Sequence, residues 1–244
     1  MKVIITVDTE HPQTPLRESR IKQSTLFNDT HELAGLFKSY DIQATFFLAV
    51  DERYIWDDNY ISCIIRTLKF RNQDIQLHTH PEWHDPIKRV LMTDYSYKEQ
   101  FDIIKNGKEY LESHGLNVIA HRSGAYSVDN HTLLALRNNN IPIDMSGFIG
   151  HPNTLWYYHI DNLTRIPVSS YYRYFRLKKH DLDWCSFKEL KRYVNKSIKR
   201  GKEYLVFMMH SYSKDLDKLE RYLTMLKMNP EIEIQSVRKY YENN

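Results

Sequence analysis

Almost from end to end, the chain alternates short apolar runs with longer amphipathic stretches. Val3 to Val7, Ala44 to Leu48, Ile75 to Leu77, Val118 to Ala120, Ile143 to Met145, Thr164 to Val168, Tyr204 to Met209 and Glu231 to Gln235 are short, rich in β-branched or aromatic residues, and read as strands. Leu26 to Tyr40, Ile61 to Phe70, Tyr97 to Ser113, Asn130 to Asn139, Phe187 to Ile198 and Asp215 to Met228 read as helices; in the first, Leu33, Leu36 and Phe37 share one face. Strands alternating with helices predict an α/β fold, a mainly parallel sheet covered by helices. An open doubly wound sheet and a (β/α) barrel both satisfy the pattern. Polar groups recur at nearly every strand C-terminus, as in barrel active sites, so the expected form is a distorted (β/α) barrel of seven or eight strands. No Pro/Gly/Ser-rich linker and no repeat divides the chain, and residues 1–244 read as a single domain.

Composition narrows the partners. At 41% apolar content, 244 residues can bury a sizeable core. The net charge of +3 is small and the Lys and Arg residues are scattered, so nucleic acid is not expected. No run approaches ~18–20 consecutive apolar residues, so no membrane span is expected. Cys63 and Cys185 lie far apart without a CxxC spacing, and no signal-peptide pattern opens the chain. The expected setting is a reducing one, the cytoplasm.

The polar residues behind these strands are the chemically loaded ones. The first strand ends in Asp8-Thr9-Glu10, whose two carboxylates project to the same side of an extended chain. The third is followed by His78-Thr79-His80-Pro81-Glu82-Trp83-His84, three histidines within seven residues. One carboxylate and two imidazoles can hold a zinc-like ion, leaving the second carboxylate as a base. The alternative is a solvated histidine loop with acids capping a turn. The fourth strand leads into His121-Arg122-Ser123-Gly124-Ala125-Tyr126, the fifth carries Asp144-Met145-Ser146, and the late apolar run ends in His210.

In that order, these motifs resemble the polysaccharide deacetylases of the NodB-homology type, metal-dependent hydrolases of acetyl groups on sugars. The resemblance runs from residue 3 to about 237 and rests on five motifs, none specific alone. It implies Asp8 as base, Glu10 as metal ligand, and two further ligands from the histidine segment: His78 with His80, His78 with Glu82, or His80 with His84. It implies one divalent ion, zinc-like on the evidence of the imidazoles. Three departures stand out. Thr9 separates acids that are adjacent in the family, which leaves the roles of Asp8 and Glu10 open to exchange. The family's histidine pair is usually four residues apart. The proline usual after the motif-three arginine is Gly124 here.

The same resemblance sets roles for the remaining residues. Arg122 is expected to hold Asp8 ionised, and Asp144 to bind Arg122 or orient His210. His210 is expected to protonate the leaving group, and the Tyr126 backbone N–H to face the oxyanion. Apolar side chains ahead of His210, Met208 among them, are expected to line the acetyl pocket. Trp83 and Trp156 either stack on a sugar face or belong to the core. The implied substrate is an N-acetylated, less readily an O-acetylated, sugar: a nucleotide-sugar or lipid-linked glycan of surface-polysaccharide assembly. Two other classes compete. A phosphoesterase-like metal hydrolase calls for a two-metal site and an anion-binding glycine loop, and a non-catalytic sugar-binding relative calls for loss of the base, the ligands or His210.

Overall fold

The computed structural model describes residues 1–12, 25–83, 91–148, 159–160, 162–173, 176–179, 181–213 and 215–243, with 159–160, 171–173 and 176–179 described by their backbone alone. Eleven strands occur among these residues: β1 (Lys2–Thr9), β2 (Thr45–Ala49), β3 (Asp74–Thr79), β4 (Ala120–Ser123), β5 (Ile143–Asp144), β6 (His159–Ile160), β7 (Leu163–Arg165), β8 (Ser170–Arg173), β9 (Arg176–Lys179), β10 (Tyr204–His210) and β11 (Glu233–Gln235). Eight α-helices accompany them: α1 (Leu26–Ser39), α2 (Arg53–Trp56), α3 (Asp58–Phe70), α4 (Tyr97–Ser113), α5 (Asn130–Asn138), α6 (Phe187–Lys199), α7 (Leu216–Lys227) and α8 (Val237–Glu242).

Seven strands run parallel in the order β10-β1-β2-β3-β4-β5-β7, with β6 antiparallel on the far edge of β7. The result is a half-barrel with flanking helices, the α/β form expected from the sequence. Its open side is spanned by irregular chain: Ser169 donates its N–H to the Val206 carbonyl at 3.0 Å, and Leu182 to Met208 at 2.8 Å. The barrel is therefore distorted where regular pairing gives way to single hydrogen bonds. β11 pairs with the first half of β1, whose second half pairs with β2, so both share one edge.

β1, β2 and β10 are buried on both faces, which is why their central runs are apolar rather than alternating. Val3, Ile5 and Val7 of β1, Phe46 and Leu48 of β2, and Leu205 and Phe207 of β10 face the helices, where they meet Leu33 and Phe37 (α1), Ile64 (α3), Ile104 (α4) and Leu223 (α7). The intervening residues, Ile4, Phe47, Ala120, Ile143, Val206 and Met208, form a second cluster inside the barrel. Val237 and Tyr240 of α8 join this inner cluster beside Ile4, closing the end from which β1 starts. Each such fully buried Leu, Ile or Phe contributes roughly 1.5–3 kcal/mol. Three of the covering helices start where side chains satisfy their first N–H groups. Ser96 and Glu99 form a capping box on α4, Ser186 and Glu189 another on α6, and Asp215 caps α7. With one end plugged by α8, the opposite rim, at the strand C-termini, is left for a site.

Candidate active site

Inward-facing positions recur every second residue along a strand. Continuing the inner register of β1 past Ile4 and Thr6 leads to Asp8; that of β4 past Ala120 leads to Arg122; that of β10 past Val206 and Met208 leads to His210. His78 lies near the end of β3, with Glu10 just beyond β1. The sequence thus delivers five polar side chains to one rim by strand parity alone.

Two of these, Glu10 and His78, converge with His80, just past β3. His78 Nε2 lies 2.9 Å and His80 Nε2 2.5 Å from Glu10 Oε2, and the two Nε2 atoms are 3.1 Å apart. His78 Nδ1 faces the Arg122 main-chain carbonyl at 2.7 Å, and His80 Nδ1 faces Glu82 Oε1 at 2.7 Å. A carbonyl or carboxylate oxygen only accepts, so each Nδ1 carries the hydrogen and each neutral ring turns an Nε2 lone pair toward Glu10. Three lone-pair atoms within 4.8 Å of one another repel unless extra protons or a cation sit among them. Two imidazoles and one carboxylate, each histidine held by an acceptor behind it, are a donor set that fits a zinc-like divalent ion. Burial opposes ionisation of Glu10, but His80 and His78 outweigh it and hold its carboxyl well below the usual range. Burial likewise opposes a charged His80, yet Glu10 and Glu82 raise its pKa well above the ordinary value.

Beside this group stands Asp8, whose Oδ1 accepts from Arg122 Nη1 at 2.5 Å. Arg122 is fully buried, donates Nε to the Met145 carbonyl at 3.3 Å, and stacks its guanidinium over Phe47 at 4.4 Å. Burial pushes the Asp8 pKa up, but Arg122, then His78 and His210, more than reverse it, and the carboxyl ends below its ordinary value. On the other flank, His210 Nε2 lies 3.9 Å from Glu10 Oε1. Its Nδ1 is 2.7 Å from Asp183 Oδ2, which also accepts the His210 main-chain N–H at 3.1 Å. Burial disfavours the imidazolium, but the Asp183 hydrogen bond and the nearby Asp8 and Glu10 carboxylates raise the His210 pKa.

Several expectations need correction. Asp144 binds neither Arg122 nor His210; its Oδ2 accepts from Arg165 Nε at 2.7 Å and its Oδ1 from the Ser146 N–H at 3.0 Å. The reason is parity. Ile143 and Met145 occupy the inner cluster, so Asp144 points to the other face, where its register partner is Arg165. The residue that holds His210 is Asp183, which the motif search did not reach. Glu82 sits behind His80 instead of joining the converging atoms. Trp83 is 3% exposed, with its ring edge toward His11, so it is a core residue and offers no sugar platform. Met208 is fully buried two positions below His210, on the same face of β10. Tyr126 packs edge-on against Phe148 and follows Ala125 in a turn where both have positive φ, 55° and 51°. Such backbone costs about 1–3 kcal/mol per residue and is typical of functional loops. His84 and Trp156 lie outside the described residues.

Behind the histidine segment, Glu52 and Asp51 are buried acids that the strand pattern also missed. Glu52 accepts the His11 N–H at 2.6 Å, and burial lifts its pKa to about 8. Burial lifts Asp51 to about 6.

No protein-family profile and no curated protein sequence matches the chain. Solved structures do. A Mycobacterium smegmatis protein assigned to the polysaccharide deacetylases superposes with a TM-score of 0.73 at 14% identity, covering 99% of this chain and 89% of that one. The family 4 carbohydrate esterase of Streptomyces lividans, solved with acetate, gives 0.56 at 11% identity over 95% and 90%. A family 4 pseudoenzyme from Bacillus anthracis gives 0.56 at 14% identity over 98% of this chain and 64% of that one. An esterase and a pseudoenzyme share this architecture, so activity has to be argued from side chains. The chain has the NodB-type (β/α)-barrel fold of the family 4 polysaccharide deacetylases.

Proposed function

We propose that the protein is a metal-dependent hydrolase that removes acetyl groups from sugars, N-acetyl before O-acetyl. What carries the reading is one arrangement: a three-donor cation site flanked on one side by the Asp8–Arg122 pair and on the other by the His210–Asp183 pair. Amide hydrolysis needs an activated water, a stabilised oxyanion and a protonated leaving amine. Glu10, His78 and His80 would hold the divalent ion, which when bound would supply Lewis acidity toward water and the acetyl carbonyl. Asp8, kept ionised by Arg122, takes a proton from the attacking water. His210 carries one proton on Nδ1 toward Asp183, so the transferable proton is on Nε2, which gives it to the departing nitrogen. The Tyr126 backbone N–H serves as oxyanion donor, worth a few kcal/mol at the transition state. Met208 forms the apolar floor for the acetyl methyl group.

Among the described residues no helix is long and apolar enough to cross a membrane. Acetylated nucleotide-sugars or lipid-linked intermediates of surface-polysaccharide assembly are the substrate class we assign.

Elemental analysis of purified protein should find about one divalent ion per chain, with His78→Ala and His80→Ala each depleting it. Unchanged metal in both variants would remove the site, and two ions per chain would favour the phosphoesterase-like chemistry instead. Asp183→Asn should lower the His210 pKa by removing the charge that supports the imidazolium. Because His210 must be protonated to act, the alkaline limb of the kcat profile should move to lower pH. A limb that stays in place while metal content is normal would separate Asp183 from the acid.

A further inference from the structure

The third cation ligand comes from an unusual place. His80 follows His78 by two residues, where the resemblance leads one to expect a partner four residues on, and its ring turns 82° from the plane of the His78 ring. To do so it lies against the α-carbon of Gly124, in the turn after β4. A Cβ built on Gly124 would sit 2.4 Å from His80 Cε1, 2.6 Å from Nε2 and 2.7 Å from Nδ1. Side chains do not approach so closely. Gly124 does not have positive φ, so backbone freedom is not what asks for glycine here. The missing side chain is.

We propose that Gly124 is a positioning residue of the cation site. Its lack of a Cβ lets His80 serve as a ligand at the short spacing. This rests on the metal reading above. The His80 ring, partly exposed, is held at both nitrogens, by Glu10 at 2.5 Å and Glu82 at 2.7 Å, so it cannot give way without losing one of these partners. Any larger residue at 124 drives the imidazole off one or both partners and takes Nε2 away from Glu10 and His78. The two departures from the family pattern, a histidine pair two residues apart and glycine where proline is usual, are then one adjustment. Proline at 124 would carry the same colliding Cβ.

The test is a double-mutant cycle between Gly124→Ala and His80→Ala, read in two ways. Zinc affinity by competition with a chromophoric chelator should fall about 10–100-fold in Gly124→Ala, the usual loss when a group that orients a ligand is disturbed. The melting temperature of metal-free protein should fall by about 3–9 °C in Gly124→Ala. In the His80→Ala background the same change should shift it by no more than about 1–2 °C, since the ring it collides with is gone. The cycle also cancels the effect of Gly→Ala on the unfolded chain. Wild-type zinc affinity in Gly124→Ala would overturn the proposal, as would an equal melting loss in both backgrounds. If the unmodified protein binds no zinc, the metal reading fails, and the melting arm still decides whether Gly124 makes room for His80.

Discussion

Asp8→Asn should reduce turnover by roughly 10²–10⁴-fold or more while leaving metal content unchanged. Asparagine keeps the shape and one acceptor toward Arg122 but cannot take up a proton at neutral pH. Asp8 is not among the converging donor atoms; its carboxylate is held by the Arg122 guanidinium at 2.5 Å. Glu10→Gln should do the reverse, weakening metal binding first, because Glu10 Oε2 is the atom on which both imidazoles converge. Activity and metal content measured together on both variants separate the roles. If Asp8→Asn is the variant that loses metal, the assignments of the two acids are exchanged. Asp8→Asn also leaves Arg122 buried beside a neutral group, so stability should fall as well, and activity must be compared below the melting transition.

His210→Ala should lose roughly 10²–10⁴-fold in turnover on an N-acetylated sugar and far less on an activated aryl acetate. An amine leaves an amide only when protonated, whereas an activated phenol departs as an anion without help. The geometry supports the split: Nδ1 is committed to Asp183 at 2.7 Å, leaving Nε2 as the single proton-delivering position. Should His210 merely finish β10, both substrates would lose activity together with thermal stability. Equal loss on both in a stable, metal-loaded variant would rule out the acid role.

Much of this framework was legible in the residues, for identifiable reasons. The strands β1, β2 and β10 contain continuous apolar runs because helices cover one face and the barrel interior the other, and such runs stand out in sequence. α4 begins where expected because Ser96 and Glu99 both satisfy its first turn. Asp8, Glu10, His78, Arg122 and His210 could be gathered because long parallel strands fix which residues share a rim. The misreadings fall where that regularity ends. β5 is only two residues long, too short to show alternation, and Asp144 was set on the wrong face. Asp183 belongs to an irregular segment whose strand-like pairing with the barrel is one isolated bridge, Asp181 to Met208, so no periodicity announced it. The β8–β9 hairpin and α8 were missed as well; α8 is six residues, shorter than a pattern that repeats every 3.6 can reveal. The spacing of the histidine pair left three ligand choices open; His78 and His80 converge on Glu10 with Glu82 behind His80, while His84 lies outside the described residues.

A cation on Glu10, His78 and His80 is proposed to support hydrolysis of an acetyl group on a sugar. It is tested by acetate release from a panel of N-acetylated nucleotide-sugars and lipid-linked glycans, comparing metal-stripped protein with the same sample given back one equivalent of zinc. No release above background is expected from stripped protein, and stoichiometric recovery is expected on reconstitution, with at least one panel member turned over. Acetate release at the same rate with and without metal would contradict the proposal.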